Sequence, residues 1–230
     1  MLARIAGGSG ADAERLTRRL SPALARDRTD AEPLRLAVDG LGPTAERIVE
    51  LASADGRLTI VDDPELAQVA VIVARYSIAP ARYARWLSRD VPHLAVVHGD
   101  RSTTIGPFVR PGLGPCLYCV DRTRTDVDPA WPAIASQLEG RSSPRESGTL
   151  VAEIAATAVR IVASHRSPDR DPLADRSLEI SDSPIPVVHR MRVHPECGCR
   201  SLRGNATVLG EPSTGRRTPP TTAASDVVPA

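Results

Sequence analysis

The chain has 230 residues and a formal net charge of +1 at pH 7 with His neutral, and its 29 basic residues are all arginine. Aromatic residues make up 3% of it. This composition offers no overall field for a nucleic acid or a membrane surface, few rings for stacking bases, and no lysine for a Schiff base. No apolar run approaches the roughly 20 residues of a membrane span, and residues 1–10 lack a signal-peptide pattern. We therefore expect a reduced, cytoplasmic protein without nucleic-acid or membrane partners.

The N-terminal third begins with a leading helix or linker and continues as a β/α unit. Residues 1–30 are assigned to the leader, in which leucines recur every four positions over residues 16–24. An apolar strand follows at residues 34–38. A glycine turn then opens a helix whose apolar face begins at Ala45. This order of strand, turn and helix is the first half of a parallel β/α/β unit.

Further strands and helices alternate in the same way. The β-branched runs at residues 58–61, 69–74 and 93–97 predict three strands, and residues 80–90 predict a helix. Alternation of this kind predicts an α/β fold with a Rossmann-like, doubly wound and mainly parallel sheet.

The C-terminal half is predicted to contain helices and antiparallel strands without the regular β/α alternation. Residues 103–110 resemble a hairpin arm, residues 131–138 a short helix, and residues 146–165 a core helix with apolar residues at three- and fourfold spacing. After a loop at 166–175, segments 178–180 and 187–193 predict an antiparallel pair that leads to a cysteine-bearing extension. The predicted domain covers residues 31–203, and residues 204–230 are predicted to be a disordered tail.

Four cysteines form two tight pairs, Cys116/Cys119 and Cys197/Cys199, and they are all the cysteines of the chain. Two close pairs supply the four thiolates that a tetrahedral zinc ion prefers. The pairs lie about 80 positions apart, so a shared ion would close a long loop, which is a structural role. We predict a structural zinc site, a zinc knuckle, at these four residues.

Other interpretations of the cysteines are weaker. A redox dithiol at the first pair leaves the second pair unexplained, and a disulfide between Cys197 and Cys199 would be strained. His194 is a further candidate ligand, although four thiolates already complete a zinc site.

The glycine turn allows two interpretations. Gly40 and Gly42 open a helix after a strand, and Asp62 ends the next strand roughly 20 positions later, where an acidic residue reaches a nucleotide ribose. However, Asp39 places a negative charge at the phosphate position, and Pro43 removes a backbone donor. The alternative is that the glycines allow the helix to pack closely on the strand, and ATP is not expected as a cofactor.

Five segments of the sequence together resemble a known family. They are Val91–Val96, Ile105–Val109, Pro111–Cys119, Asp121–Pro132 with Gln137 and Leu138, and His194–Cys199. Over roughly residues 33–203 the chain resembles the ThiF-like, ubiquitin-activating-enzyme-like family. Within that family it is most similar to the actinobacterial bacteriocin biosynthesis cyclodehydratase or leader-peptide-binding proteins of thiazole/oxazole-modified microcin pathways.

The resemblance implies a zinc-bearing scaffold that helps to deliver a ribosomally made precursor peptide to a cyclodehydratase partner, which forms azolines. Fuller family members carry an N-terminal leader-recognition module, for which the roughly 30 residues before the first strand are too few. Adenylating relatives carry an Asn/Arg/Gln loop and a phosphate-binding lysine, both missing here. The resemblance therefore favours a non-catalytic protein. The alternatives are an active ATP-dependent adenylyltransferase that uses Gly40, Gly42 and Asp62, or an inert remnant of the family.

A charged segment next to a tryptophan is the candidate partner interface. An exposed tryptophan among arginines and carboxylates makes a typical interface anchor, although such charges also commonly form local pairs. Pairing into a homodimer or heterodimer is expected by analogy with this fold. The candidate interface residues are Arg122, Arg124, Asp126, Asp128 and Trp131.

Overall fold

The computed structural model describes residues 32–146, 148–165 and 173–200. The predicted leader at 1–30, the predicted tail at 204–230 and most of the predicted 166–175 loop lie outside these residues. The strands are β1 (Leu34–Asp39), β2 (Leu58–Ile60), β3 (Val69–Arg75), β4 (His93–His98), β5 (Thr103–Val109), β6 (Arg176–Ile180) and β7 (Val187–Arg190). The helices are α1 (Pro43–Ala54), α2 (Pro80–Leu87), α3 (Leu117–Val127), α4 (Trp131–Leu138) and α5 (Gly148–Ser164), with 3₁₀ turns at Pro64–Leu66 and Gly198–Arg200.

A single mixed sheet of seven strands organises these elements, in the order β2-β1-β3-β4-β5-β6-β7. The first four strands of this order pair in parallel, and β5, β6 and β7 each add antiparallel. The mainly parallel sheet that the alternation predicts is therefore found in one half of the sheet, while the other half is antiparallel. None of the described helices combines the length and the apolar character that a membrane crossing requires.

Two hydrophobic cores lie on the two faces of the sheet, because β3 and β4 direct apolar side chains to both. Helices α1 and α5 cover one face through residues such as Ile48 and Ile154, which are fully buried. Helix α2 and the start of α3 cover the other face through Trp86 and Leu117. Strand β3, which is apolar except for its last residue, Arg75, and has six of seven residues buried, is thus a central strand covered on both sides.

Most predicted elements are present, with two differences at the cysteine-bearing segments. Helix α3 was not predicted, since its sequence has no apolar periodicity and only Leu117 and Cys119 are buried. Its threonines fit a helix because their hydroxyls donate to carbonyls one turn back, Thr123 to Cys119 O and Thr125 to Asp121 O, each at 2.9 Å. Strand β7 ends at Arg190 rather than at residue 193, so the second cysteine pair lies in a loop.

His93 makes the stability of this fold dependent on pH. Its side chain is fully buried at the start of β4, its Nδ1 donates to Val91 O at 2.9 Å, and its Nε2 has no hydrogen-bond partner among the described residues. Burial lowers the pKa of His93 to about 4, although the Val91 carbonyl and Asp39 oppose the shift. The unfolded chain, with a His pKa of about 6.5, therefore binds this proton more readily than the folded chain does.

We expect the free energy of unfolding to fall as pH drops below about 6.5, with His93 contributing a loss of about 2 kcal/mol between pH 7 and pH 5. The His93→Gln variant, which cannot titrate there, should lose about 2 kcal/mol less than the wild type over that interval. Urea unfolding followed by circular dichroism at both pH values measures the difference. His189→Gln, at an exposed position on β7, is the control. An equal pH dependence in wild type and His93→Gln would contradict the assignment.

Candidate functional site

The four cysteines of the sequence meet at one end of helix α3. Cys116 immediately precedes the helix and Cys119 lies in its first turn, both buried. Cys197 and Cys199 approach from the loop and 3₁₀ turn after β7. The sulfur–sulfur distances are 3.7 Å for Cys116–Cys119, 3.6 Å for Cys116–Cys197 and 3.6 Å for Cys119–Cys199. All four sulfurs lie within 4.8 Å of one another.

This arrangement fits a metal ion better than disulfides. A disulfide needs a sulfur–sulfur distance of about 2.05 Å, far shorter than the distances found here. Four thiolates at zinc–sulfur distances of about 2.3 Å lie about 3.8 Å apart at the corners of a tetrahedron. The cluster therefore has the ligand type and the spacing to hold a metal ion.

His194 is not a member of the cluster but supports it. Its Nε2 lies 2.8 Å from Asp126 Oδ2 on helix α3, and its Nδ1 accepts from the Glu196 N–H at 3.2 Å. The Cys197 N–H donates to the His194 carbonyl at 3.0 Å. His194 thus joins the loop that carries Cys197 to helix α3 and positions the second cysteine pair.

Burial and hydrogen bonding set different pKa values within the cluster. Burial raises the pKa of the Cys116 thiol and raises that of Cys199 to about 12. Burial acts in the same direction on Cys119, but hydrogen bonds involving the backbone of His194 and Cys116 outweigh it and lower its pKa. Cys119 is therefore the thiol that ionises most readily of these three, and a metal that binds all four must displace protons.

The predicted interface residues all have partners within the chain. Arg122 pairs with Glu196, and Asp126 with His194. Asp128 accepts from the Ala130 N–H at 2.9 Å at the start of helix α4. Local pairing of these charges, the second interpretation of the charged segment, is thus present, whereas a role in binding a partner stays a prediction.

Trp131 has two close contacts of its own. The guanidinium of Arg124 lies over its ring, 4.8 Å from the ring centre, and its Nε1 donates to Asp121 at 3.4 Å. Asp121 also accepts from the Tyr83 hydroxyl at 3.3 Å, and burial raises the pKa of Asp121. These contacts tie helix α4 to helices α2 and α3.

A cleft of about 990 Å³ opens at the carboxyl ends of β1 and β3. The strand order reverses here, because β2 and β3 lie on opposite sides of β1, and such a reversal leaves a crevice where ligands of α/β sheets bind. Gly40 and Asp62, both predicted nucleotide contacts, line it. Its charged lining residues are Asp39, Asp62, Arg75, Arg82, Arg85, Glu139, Arg141 and Glu146.

Contacts within the chain already engage Asp39 in this cleft. Its carboxylate accepts from Arg82 at 2.9 Å, from Arg85 at 2.9 Å and from Trp86 Nε1 at 3.1 Å. Arg82 also donates to the Val73 carbonyl at 3.0 Å. Two arginines of helix α2 thus donate hydrogen bonds to Asp39 and the adjoining backbone.

Glycine is needed at positions 40 and 42 for different reasons, one steric and one conformational. A Cβ at Gly40 would lie 2.8 Å from both the Cβ and the carbonyl oxygen of Val73, so Gly40 permits the close approach of β3. Gly42 has φ 95° and ψ −177°, a conformation that essentially only glycine adopts. The close contact at Gly40 is thus with the neighbouring strand β3, whereas packing of helix α1 on its own strand stays a prediction.

Glu146 is a cleft residue that the sequence analysis did not single out. Its side chain is 5% exposed, it pairs with Arg75, and its Oε1 accepts from the Thr44 N–H at 3.1 Å at the start of helix α1. The sequence carries no local signal for this contact, because Thr44 and Glu146 are 102 positions apart.

No protein-family model matches the chain, and a search of curated proteins gives no match. Among solved structures the fold is similar to that of a heterocyclase and of microcin biosynthetic proteins. The heterocyclase TruD has a TM-score of 0.56 at 16% identity over 84% of this chain, which spans only 31% of TruD. Escherichia coli MccB with AMPCPP and selenomethionine MccA has a TM-score of 0.56 at 13% identity, over 87% of this chain and 84% of MccB.

A third similar structure is the E. coli microcin synthetase McbBCD complex. One of its chains matches with a TM-score of 0.53 at 13% identity, over 82% of this chain and 77% of that one. At such identities the likeness establishes a shared fold, which extends over most of the described residues.

Proposed function

We propose that this chain is a ThiF-like, non-catalytic scaffold protein in the biosynthesis of a ribosomally made, azoline-modified peptide of the bacteriocin type. The observation that carries the proposal is the fold likeness to a heterocyclase and to microcin biosynthetic proteins. Within this proposal residues 31–203 are one domain with a Rossmann-like, doubly wound core, and the protein acts in the cytoplasm. The cysteine-bearing C-terminal extension is its zinc knuckle.

The proposed metal is zinc, held by Cys116, Cys119, Cys197 and Cys199. Four thiolates are a typical structural zinc set and leave no open position for a substrate. The separation of the two pairs in the sequence and the support from His194 both favour a structural role. Zinc would supply a crosslink between helix α3 and the segment after β7.

The proposed partners are a cyclodehydratase, a precursor peptide and, by analogy, a second subunit of the same fold. In the predicted interface on helices α3 and α4, the half-buried residues Arg124 and Trp131 form a stacked pair. Such a pairing of arginine and tryptophan is a common anchor in protein interfaces.

A second candidate function is ATP-dependent adenylyl transfer. It is favoured by the likeness to MccB, which was solved with AMPCPP and MccA, and it would use the predicted contacts Gly40, Gly42 and Asp62. The absence of lysine from the sequence and the engagement of Asp39 by two arginines favour the scaffold instead.

Reconstitution separates the two functions. The chain is combined with a candidate cyclodehydratase, a Cys/Ser/Thr-rich precursor peptide and ATP, and mass spectrometry follows the loss of water from the peptide. A scaffold accelerates azoline formation but shows no ATP–pyrophosphate exchange by itself. Exchange by the isolated chain with the peptide would instead identify an adenylyltransferase, and no effect on the partner would contradict the scaffold.

The Trp131→Ala variant tests the interface. We expect it to reduce retention of the cyclodehydratase in a pull-down about tenfold or more, since removal of a tryptophan anchor commonly costs 2 kcal/mol or more. Val127→Ala is the matched control, because Val127 is an exposed residue at the end of the neighbouring helix α3. Circular dichroism must show that both variants remain folded. Equal retention by folded Trp131→Ala and wild type would exclude this surface.

A further inference from the structure

Helix α1 presents a positive N-terminus to the cleft. It has 12 residues, and the first backbone donors of such a helix lie where an anion is stabilised. Pro43 has no N–H to offer, and the Thr44 N–H donates to Glu146 at 3.1 Å. A carboxylate of the chain therefore stands where an external anion would bind.

Arg75, at the end of β3, completes this anion position. Its guanidinium pairs with Glu146 and donates to the Leu41 carbonyl at 3.0 Å. Gly42 makes room for the pair, since a Cβ there would overlap the Arg75 guanidinium and lie 3.2 Å from Glu146 Oε1. Glu146 thus has both a helix N-terminus and an arginine as partners, the set that commonly binds a phosphate group.

A further polar group, the Thr44 hydroxyl, lies in the first turn of helix α1. Thr44 is fully buried and its Oγ1 has no hydrogen-bond partner within the described part of the chain, so an unused hydroxyl accompanies the donor. A carboxylate offers two acceptor oxygens, while a phosphate group offers three or more. Glu146 satisfies the arginine and the backbone donor but leaves this hydroxyl unpaired.

The segment before α5 delivers Glu146 to this position. Residues 139–143 line the cleft, and the Ser143 hydroxyl donates to the Gly99 carbonyl at 2.6 Å. Arg145 pairs with Asp182 at 2.7 Å on the other side. These contacts fix the segment across the carboxyl ends of the parallel strands and hold the carboxylate in place.

We propose that Glu146 is an internal ligand that occupies a phosphate-type anion site formed by Arg75 and the N-terminus of helix α1, and thereby keeps external oxyanions out of the cleft. Removal of its carboxylate leaves the Arg75 guanidinium and the Thr44 N–H without their partner. The site then accepts an inorganic oxyanion such as pyrophosphate. The inference concerns the isolated chain and does not depend on the peptide pathway proposed above.

The test is calorimetric titration of the full chain with inorganic pyrophosphate. We expect no measurable binding by the wild type and binding at least about tenfold tighter by Glu146→Ala, as expected for freed charge-assisted hydrogen bonds. Glu139→Ala is the matched control, because it removes the same charge from an exposed position in the same cleft. A second change, Arg75→Ala, should abolish the binding gained by Glu146→Ala.

Three outcomes would overturn the proposal. In the first, the wild type binds pyrophosphate as tightly as Glu146→Ala does. In the second, Glu139→Ala gains as much pyrophosphate affinity as Glu146→Ala. In the third, a folded Glu146→Ala chain binds no pyrophosphate. Glu146→Gln keeps the side-chain size and an acceptor for the Thr44 N–H, so it remains testable if the alanine variant does not fold. This variant should also bind pyrophosphate more tightly than the wild type, because Arg75 has lost its counter-charge. If Glu146→Gln gains no affinity for pyrophosphate, that result also counts against the proposal.

Discussion

Replacing Cys119 with Ser should abolish zinc binding and destabilise the protein by more than about 3 kcal/mol. Cys119 is fully buried, lies 3.7 Å from Cys116 and 3.6 Å from Cys199, and has the lowered pKa that favours a thiolate. A serine hydroxyl cannot replace that thiolate. Structural zinc sites contribute about 10 kcal/mol or more of apparent binding free energy in small peptides, and part of that free energy would stabilise this fold with zinc bound.

The measurement combines metal analysis with urea unfolding on protein purified without added zinc. Wild type should contain one zinc per chain and should release its thiols to a titrant only with a chelator, whereas Cys119→Ser should contain none. Tyr118→Ala is the matched control, because it alters the exposed residue between the two cysteines and retains every thiol. A wild-type chain that is metal-free, with reactive thiols and unchanged stability on zinc addition, would disprove the site.

Gly40→Ala should lower the free energy of unfolding by about 3 kcal/mol. The new Cβ would meet the Cβ and the carbonyl oxygen of Val73 at 2.8 Å, and both belong to the central strand β3, which cannot move without disturbing two cores. Overpacking against a fixed backbone commonly costs 1–3 kcal/mol. Urea unfolding of the variant and the wild type measures the difference.

Gly56→Ala is the control for this experiment, because a Cβ at Gly56 meets no atom of the residues that the structure describes within 4 Å. It should change stability by less than about 0.5 kcal/mol. If Gly40→Ala were as stable as the wild type, the close packing of the turn on β3 would not be the reason for glycine there. That result would favour the interpretation of the turn as a nucleotide site over the packing explanation.

The sequence predicts the parallel half of the sheet well because its two central strands, β3 and β4, are almost fully buried. Strand β3 is a continuous apolar run rich in β-branched residues from Val69 to Ala74, and such runs alternating with helices predict a buried parallel sheet. The cysteine cluster is predictable for a different reason: four thiols in two close pairs point to one ion irrespective of the fold that joins them. In both cases the residues themselves carry the information.

Helix α3 and the Glu146 contact could not be predicted from local patterns. Helix α3 has only Leu117 and Cys119 buried and is held by the Arg122–Glu196 and Asp126–His194 pairs, which connect residues far apart in the chain. Thr44 and Glu146 approach only after β1, α1 and α5 have packed. Such contacts are set by tertiary structure, for which a single sequence gives no periodic signal.

The placement of the two cysteine pairs has a consequence for how the protein is made. All four parallel strands are encoded before residue 99, whereas the cluster needs residues up to 199. At a translation speed of about 5–20 residues per second, the second pair leaves the ribosome several seconds or more after the first. One apolar face of the nascent parallel strands therefore stays uncovered until α5 is made, and a metal ion held by this cluster would bind among the last steps of maturation.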